Sequence, residues 1–392
     1  MTRVVRKLTA AGLMAACLLT ACAPAPLPAP PPASTKGPDP DTAPRADDPA
    51  YVNPGPYAAG VMTVQLEPGR SAEIWYPAPK AATVGKTPDS YHIKDFLSPF
   101  LRSLLPVTVD PTFQTIAYRD LPASRSRFPM VLFSHGFASY RLQSTFLTAH
   151  LATWGFVVIS PDYLERGIQS LLGTPAAPTR TDGQVAQMAV DEMISLDHGP
   201  GPLQGRIDTS RLFPVGHSAG GSESTELAAR TDVQSWIALS AGIVPSTGIP
   251  AALKDPNKAA LWMVGAQDHV AQPSGVRDAF TSTAGPRKLV VLPGGGHINT
   301  MSDICEIAKD QGGVIGLARS TGLPIPDFLA TLATDGCTSP PAAPSAQEWP
   351  IVRQFVTAEL RYRSGLDKSP VGLGSGVVNH LGPIVAEYHH SP

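Results

Sequence analysis

The chain has 392 residues, of which 43% are hydrophobic and 16% charged, so it is able to bury a large core. This composition excludes a wholly disordered or collagen-like protein. The formal net charge of -2 argues against a nucleic-acid partner. Four cysteines without a C-x-x-C pair exclude a cysteine-rich zinc or iron–sulfur module.

The first 21 residues have the pattern of an export signal. Three basic residues precede an uncharged run over residues 8–19, which is too short to span a bilayer. The run ends in Leu19-Thr20-Ala21-Cys22, which resembles the bacterial lipobox, where signal peptidase cuts before a cysteine that carries lipid. We therefore predict a lipoprotein of the cell envelope, anchored through Cys22 to the outer side of the bacterial cytoplasmic membrane. The alternative is ordinary secretion with a free thiol.

Residues 22–50 are predicted to form a tether. Between residues 23 and 50 there are ten prolines, no aromatic residue and one large aliphatic residue, Leu27. Such a segment buries too little surface to offset its ordering entropy. Proline-rich linkers are partly in polyproline II, so this one would hold a folded domain away from the membrane. Residues 51–392 are predicted to be that single domain.

Beyond residue 50, short apolar runs alternate with stretches of helix length. The predicted strands cover residues 61–66, 71–76, 128–133, 156–161, 212–215, 235–239, 260–264 and 288–292. The predicted helices cover residues 142–154, 183–196, 220–229, 274–283 and 349–362. Several strands are apolar throughout, which is typical of strands covered by helices on both faces. The predicted fold class is α/β, with a mostly parallel central sheet.

The run Gly216-His217-Ser218-Ala219-Gly220 is a G-x-S-x-G motif between a predicted strand and a predicted helix. This context is typical of a nucleophile elbow, in which the flanking glycines leave room for a strained turn that exposes the serine hydroxyl. The turn also directs the N-terminus of the helix at the serine. The backbone N–H of Ala219 is therefore a predicted donor to a developing oxyanion.

A serine nucleophile needs an imidazole base, and that base needs an orienting carboxylate. Asp268 follows the apolar strand 260–264, and His297 follows the next strand within a glycine-rich turn. The order Ser218, Asp268, His297 is the order of a triad built around a nucleophile elbow. Asp268, His269, His297 and Asp303 could also be considered as a metal site, but no metal-binding spacing is present. We predict no metal.

The second oxyanion donor is expected in the loop after an early central strand. Strand 128–133 runs into Ser134-His135-Gly136-Phe137, where Gly136 lets the backbone approach the site. The N–H of Phe137 is the predicted donor, and its side chain is placed to line an acyl pocket. A simple strand–helix turn with Ser139 as helix cap is compatible with this hypothesis.

Six short segments carry a resemblance to a known family. They are Gly55-Pro56-Tyr57, Trp75-Tyr76-Pro77, Ser134-His135-Gly136-Phe137, Gly216-His217-Ser218-Ala219-Gly220, Gly265-Ala266-Gln267-Asp268 and Gly296-His297. Over most of residues 54–365 the chain resembles the α/β-hydrolases. Within them it is similar to the branch of platelet-activating-factor acetylhydrolase-like enzymes and bacterial cutinase-like polyester hydrolases. Ala219 departs from this pattern, because a bulkier residue often follows the nucleophile in both groups.

Residues 298–348, after the predicted base, are predicted to be an insertion. Cys305 and Cys337 are the pair left in an oxidising compartment, so we expect a disulfide, with two buried free thiols as the alternative. Apolar runs at 314–317 and 328–330 allow two interpretations. The insertion is either a wall that selects substrate size or a surface segment packed on the last helix. The tail after residue 365 either covers a sheet edge or is loose chain.

Together these features predict an exported serine ester hydrolase that needs no cofactor. Its substrates would be acetyl, lipid or polyester-type esters, cleaved through an acyl-enzyme. An acyltransferase or an amidase with the same triad is the nearest alternative. A catalytically silent lipid-binding lipoprotein is the alternative from another class.

Overall fold

The computed structural model describes residues 44–173, 178–242, 249–323, 325–338, 340–381 and 387–391. The predicted signal, Cys22 and most of the predicted tether lie outside the described residues. Pro44–Pro392 forms one compact unit. Its first residues already pair with the C-terminal part of the chain, because Gly372 N–H donates to Arg45 O and Gly374 N–H donates to Ala46 O. The folded unit therefore begins before residue 50, where the tether was predicted to end.

Strands and helices alternate along most of the described chain. The strands are β1 (Ala58–Glu67), β2 (Arg70–Ala78), β3 (Ser90–His92), β4 (Thr112–Gln114), β5 (Ala117–Arg119), β6 (Phe128–Ser134), β7 (Val157–Pro161), β8 (Ile207–His217), β9 (Ser235–Leu239), β10 (Ala259–Gly265), β11 (Arg287–Leu292) and β12 (Glu387–Ser391). The helices are α1 (Pro99–Leu104), α2 (Thr145–Thr153), α3 (Ile168–Leu171), α4 (Asp182–His198), α5 (Ala219–Leu227), α6 (Pro273–Ser282), α7 (Gly313–Ser320), α8 (Asp327–Thr334) and α9 (Ser345–Ser364). All the predicted strands and helices are present.

The main sheet has the strand order β12-β11-β10-β9-β8-β6-β7-β2-β1-β5. Strands β7, β6, β8, β9, β10 and β11 run parallel to one another. The antiparallel pairs lie towards the two ends of the sheet, where β2 pairs with β7 and with β1, and β12 pairs with β11. The carboxyl ends of the parallel strands therefore share one edge, which is where α/β sheets hold their functional residues.

The apolar strands are buried on both faces of the sheet. Along β6, Val131 and Phe133 join a core with α2 and α9, whereas Met130 and Leu132 join a core with α4, α5 and α6. Successive strand side chains point to opposite faces, so a strand covered by helices on both sides must be apolar at every position. This explains why the strand segments are continuous rather than alternating apolar runs.

The C-terminal tail contributes a strand to the sheet. Residues Glu387–Ser391 form β12, which pairs antiparallel with β11 from Arg287 to Val291. Of the two interpretations of the tail, covering the sheet edge is therefore correct for this segment. Among the residues that the structure describes, no helix has both the length and the apolar character needed to cross a bilayer.

The predicted insertion contains α7 and α8. The disulfide between Cys305 and Cys337 is present, which excludes the alternative of two free thiols. It joins a segment shortly before α7 to a residue shortly after α8. A two-stranded sheet of β3 and β4 lies outside the main sheet, and α1 lies between these two strands in the chain.

Candidate active site

Ser218 lies at the turn between β8 and α5. Its backbone has φ 56° and ψ -121°, a conformation that costs free energy in a non-glycine residue. A Cβ atom on Gly216 would lie 2.1 Å from Gly220 O, and one on Gly220 would lie 2.0 Å from Ser134 O. Both predicted elbow glycines are therefore required by the close packing of β6, β8 and α5.

Ser218, His297 and Asp268 come together at the carboxyl edge of the sheet, after β8, β11 and β10. His297 Nε2 lies 3.0 Å from Ser218 Oγ, and His297 Nδ1 lies 2.9 Å from Asp268 Oδ2. Asp268 Oδ1 also accepts the N–H groups of Val270 and Ala271, at 2.9 and 2.7 Å. These two bonds fix the carboxylate towards the imidazole. With Nδ1–H donating to Asp268, the Nε2 lone pair faces the serine hydroxyl.

The predicted acid and base are removed from solvent, whereas the predicted nucleophile is partly accessible. The side chains of His297 and Asp268 are 1% and 0% exposed, and Ser218 is half-buried. In such a site, charge that develops during a reaction is screened less than in water. The arrangement is able to support proton transfer from Ser218 and attack of its oxygen on an electrophile.

The two predicted oxyanion donors differ from their neighbours in their hydrogen bonding. Gly136 N–H donates to Gln143 Oε1 at 2.8 Å, and Ala138 N–H donates to Arg166 O at 2.8 Å. Within the described part of the chain, the N–H groups of Phe137 and Ala219 have no acceptor. Ala219 directly follows Ser218 in the sequence, and Phe137 lines the same cavity as Ser218. They remain available for an oxyanion.

Gln143 joins the loop of Phe137 to the elbow, a role that no local sequence pattern indicates. Its Oε1 accepts Gly136 N–H, and its Nε2 lies 2.7 Å from His217 Nδ1. The other nitrogen of His217, Nε2, lies 3.0 Å from the backbone oxygen of His297. One glutamine and one histidine therefore link the oxyanion loop, the elbow and the residue that carries the base.

Hydrogen-bond chemistry determines the tautomer of His217. Since a carbonyl oxygen only accepts, His217 Nε2 carries the proton and donates to His297 O, while Nδ1 accepts from the Gln143 amide. Burial and the neighbouring His297 ring hold the pKa of His217 well below its usual value, so the ring is neutral. The side chain of His217 therefore supports the turn of the elbow through two hydrogen bonds.

Asp335, in the insertion, holds the backbone of the base. Its Oδ2 accepts His297 N–H at 2.8 Å, and its backbone oxygen accepts Ile298 N–H at 2.9 Å. Its Oδ1 lies 2.7 Å from His269 Nδ1, so His269 points away from the triad. Asp335 is two residues before Cys337, and the disulfide thus restrains the segment that contacts the base.

Asp303 caps helix α2 and does not lie with the triad. Its carboxylate accepts the N–H groups of Thr145 and Phe146 at 2.8 and 3.1 Å, and it also contacts Tyr91. Complete burial raises its pKa to about 7. The metal alternative placed this residue beside Asp268 and His297. Within the described residues, no group of three or more His, Cys, Asp or Glu side chains is arranged to hold a metal ion.

The cavity over Ser218 is narrow and has two kinds of wall. The oxyanion loop supplies residues 136–139, and the base and the elbow supply His297 and His217. Gln143 also lines the cavity, and the apolar remainder comes from residues 298–348, namely Ile298, Ile304, Leu332 and Ala333. The insertion therefore forms part of the wall of the site. Its influence on substrate choice stays a prediction.

Comparisons with known proteins agree with the architecture. No family model and no curated protein sequence matches the chain. Among solved structures, it is similar to a ferulic acid esterase from Streptomyces cinnamoneus, at 20% sequence identity and a TM-score of 0.50. The match covers 81% of this chain and 93% of the esterase chain. The chain has the α/β-hydrolase fold.

Proposed function

We propose that the protein is a serine hydrolase of carboxylic esters. The observation that carries this proposal is the hydrogen-bonded series from Asp268 through His297 to Ser218, with the serine at a strained turn. The resemblance in fold to a protein described as a ferulic acid esterase supports it.

In the proposed reaction, Ser218 Oγ attacks the carbonyl carbon of the ester while His297 Nε2 takes its proton. Asp268 holds the imidazole and stabilises the imidazolium that forms. The tetrahedral oxyanion accepts the N–H groups of Phe137 and Ala219. The alcohol then leaves with the proton from His297, which produces an acyl-Ser218 ester. Water, deprotonated by His297, attacks this ester and releases the carboxylic acid and Ser218.

We further propose that the ester is of the acetyl, lipid or polyester type. The resemblance of the six segments to platelet-activating-factor acetylhydrolase-like and cutinase-like enzymes supports this range of substrates. The small residue Ala219 after the nucleophile leaves more space beside Ser218 than the bulkier residue often present in those groups.

The test is hydrolysis of p-nitrophenyl esters, from acetyl to palmitoyl, by the purified protein and by Ser218→Ala. We expect a rate with the native protein that falls by about 10⁴-fold or more in the variant, with an unchanged melting temperature. Equal rates in both proteins would disprove the proposal. Transfer of the acyl group to added alcohols in preference to water would instead support the acyltransferase, and cleavage of the matching anilides would support the amidase. Absence of turnover in the folded protein would favour the silent binding protein.

We also propose that the protein is exported and lipid-anchored through Cys22. The basic start, the short apolar run and the cysteine that follows small residues support this localisation, together with the proline-rich segment behind it. In cells labelled with an alkyne-bearing palmitate, the native chain is expected to carry label and partition with membranes. Cys22→Ser is expected to lose both properties. Label retained by that variant would contradict the proposal.

A further inference from the structure

An apolar pocket lies beside the cavity of Ser218. It has a volume of about 90 Å³, and most of its lining comes from two regions that are distant in sequence, while residues 138, 140, 168 and 172 complete it. One wall is the segment 93–111, with Leu97 and Leu105, and the other is the insertion, with Val314, Leu317 and Leu329. The segment 93–111 contains α1, and the insertion contains α7 and α8.

The pocket and the active-site cavity share a neck. Ala138, Ile304 and Ala333 line both spaces. Ala138 directly follows Phe137, the proposed oxyanion donor. His297, in contrast, lines the active-site cavity but not the apolar pocket. His297 must face the leaving alcohol, and the acyl chain leaves the tetrahedral carbon in a different direction, away from His297. The position of the neck therefore suits the acyl part of an ester.

The lining chemistry excludes a charged ligand. Two of the lining side chains carry a polar group, Lys94 and Tyr140, and both groups have partners elsewhere. Lys94 Nζ lies 3.3 Å from Asp110 Oδ1, and Tyr140 OH lies 3.5 Å from Tyr91 OH. The other lining residues are aliphatic, alanine or proline. Such a pocket gains free energy from burying methylene groups and offers nothing to a carboxylate, a sugar or a phosphate.

The walls also carry apolar side chains on their outer sides. Phe100 in α1 is 70% exposed, and Phe328 in α8 is 61% exposed. Exposed large apolar residues around a pocket are typical of sites that receive apolar ligands from an interface or an aggregate. An acetyl group would use none of this surface.

We propose that this pocket binds the acyl chain of the substrate, and that the protein therefore acts on esters of medium- and long-chain fatty acids in preference to acetyl esters. The inference rests on the proposed function for the reaction. It adds the acyl specificity and the residues that determine it, with Ala333 at the neck and Ala318 further from Ser218.

The test compares variants that fill the pocket with matched variants on the outer side of the same helices. Ala333→Phe in α8 is paired with Thr331→Phe, and Ala318→Phe in α7 is paired with Ser320→Phe, both control positions being exposed. Each protein is assayed with acetyl, butyryl, octanoyl and palmitoyl p-nitrophenyl esters. The measured quantity is the ratio of kcat/KM between two chain lengths, which is independent of the amount of active enzyme.

For the native protein we expect a ratio of octanoyl to acetyl of about 10 or more, because one methylene accommodated by an apolar pocket changes kcat/KM by about 10-fold or more. Ala333→Phe is expected to lower that ratio at least about 10-fold. Ala318→Phe is expected to lower the ratio of palmitoyl to butyryl and to preserve that of butyryl to acetyl. The two controls should keep native ratios. A native preference for acetyl, or ratios unchanged in both pocket variants, would overturn the inference.

A second measurement separates this inference from the proposed function. Calorimetry measures binding of the uncharged probe decan-1-ol to Ser218→Ala, alone and combined with Ala333→Phe, without any turnover. Binding that the second substitution weakens supports the pocket even if no ester is hydrolysed, in which case the proposed function fails alone. Ester hydrolysis without chain-length dependence and without decan-1-ol binding disproves the pocket alone.

Discussion

The two halves of the candidate active site are held in different ways. The elbow, the oxyanion loop and the loops of Asp268 and His297 lie at the ends of buried strands, and their backbone is fixed by hydrogen bonds and close glycine contacts. The insertion has short helices, largely half-buried or exposed, and is joined to itself by the disulfide of Cys305 and Cys337.

This difference assigns catalysis to the first half and the choice of substrate to the second. Nucleophile, base and acid require positions accurate to a few tenths of an ångström, and rigid elements provide that accuracy. A surface that accommodates acyl chains needs apolar area and the correct depth, which the short helices of the insertion are able to supply. Substitutions in the first half should therefore change kcat, and those in the apolar lining of the second half should change selectivity.

The largest effect is expected from Asp268→Asn. The amide presents an N–H where the carboxylate accepts, so His297 would take the wrong tautomer and lose its function as a base. We expect kcat to fall about 10⁴-fold with the fold preserved, measured with a short-chain ester and circular dichroism. Asp335→Asn is the matched control, since it changes a carboxylate that contacts the backbone of His297 rather than its ring. An equal loss of kcat in both variants would contradict the assignment of different functions to Asp268 and Asp335.

Removal of the disulfide should affect the other half. Cys305→Ser/Cys337→Ser is expected to lower the free energy of unfolding by about 3 kcal/mol, because the bond closes a loop with a sequence separation of 32 residues. Chain-length selectivity should weaken more than turnover of an acetyl ester. Denaturant unfolding and the ester series check both expectations. A reducing agent should lower the stability and the selectivity of the native protein in the same way and should have no effect on the double variant. Unchanged chain-length selectivity in the double variant would disprove the hypothesis that the insertion is a wall that selects substrate size.

A smaller loss of turnover is expected from Gln143→Leu. The variant removes both bonds of the amide and leaves Gly136 N–H and His217 Nδ1 unpaired. The oxyanion loop would then be less accurately placed, and we expect kcat to fall about 10²-fold with KM nearly constant. Gln143→Glu, which restores the bond to Gly136 but loses the N–H donor to His217, should recover part of the loss. A rise in KM alone would show that Gln143 serves binding instead.

The smallest effect concerns Glu348 in α9, close to Gly294 in the loop before His297. Burial raises the pKa of its carboxyl to about 7. The native state then holds a proton that the unfolded state has lost between about pH 4.5 and 7, so this group lowers stability as pH rises through that window. The melting temperature of Glu348→Gln should therefore fall less between pH 5 and pH 8 than that of the native protein. Glu226→Gln, at an exposed position, should follow the native curve; identical curves for all three would refute the assignment.

The sheet and the proximity of Ser218, Asp268 and His297 could be predicted from the sequence because both leave local signals. A strand buried on two faces must be apolar at each position, and an elbow needs glycine at two fixed positions. Strand β12 has no such signal. Its sequence, Glu387 to Ser391, is polar, and it forms because the backbone of β11 offers unpaired groups at the sheet edge.

The start of α2 shows a second limit. The predicted helix 142–154 includes Gln143, but the helix begins at Thr145 because Asp303, distant in sequence, accepts the first N–H groups. A cap supplied from another segment leaves no mark on the local sequence. The roles of Gln143 and Asp335 are also invisible in the local sequence. Both depend on contacts that only the folded chain creates, so single-residue patterns were insufficient to find them.

The contact between Asp335 and His297 has a consequence for engineering this protein. Ala333, at the neck of the apolar pocket, is two residues from Asp335, whose carboxylate accepts the N–H of the base. Substitutions or bulky ligands that push α8 outward to widen the pocket will also pull on the loop of His297. Broader substrate range and fast turnover will therefore trade against each other along this one segment. Variants selected for larger acyl groups should need compensating substitutions near residues 335–337 before their kcat returns to the native value.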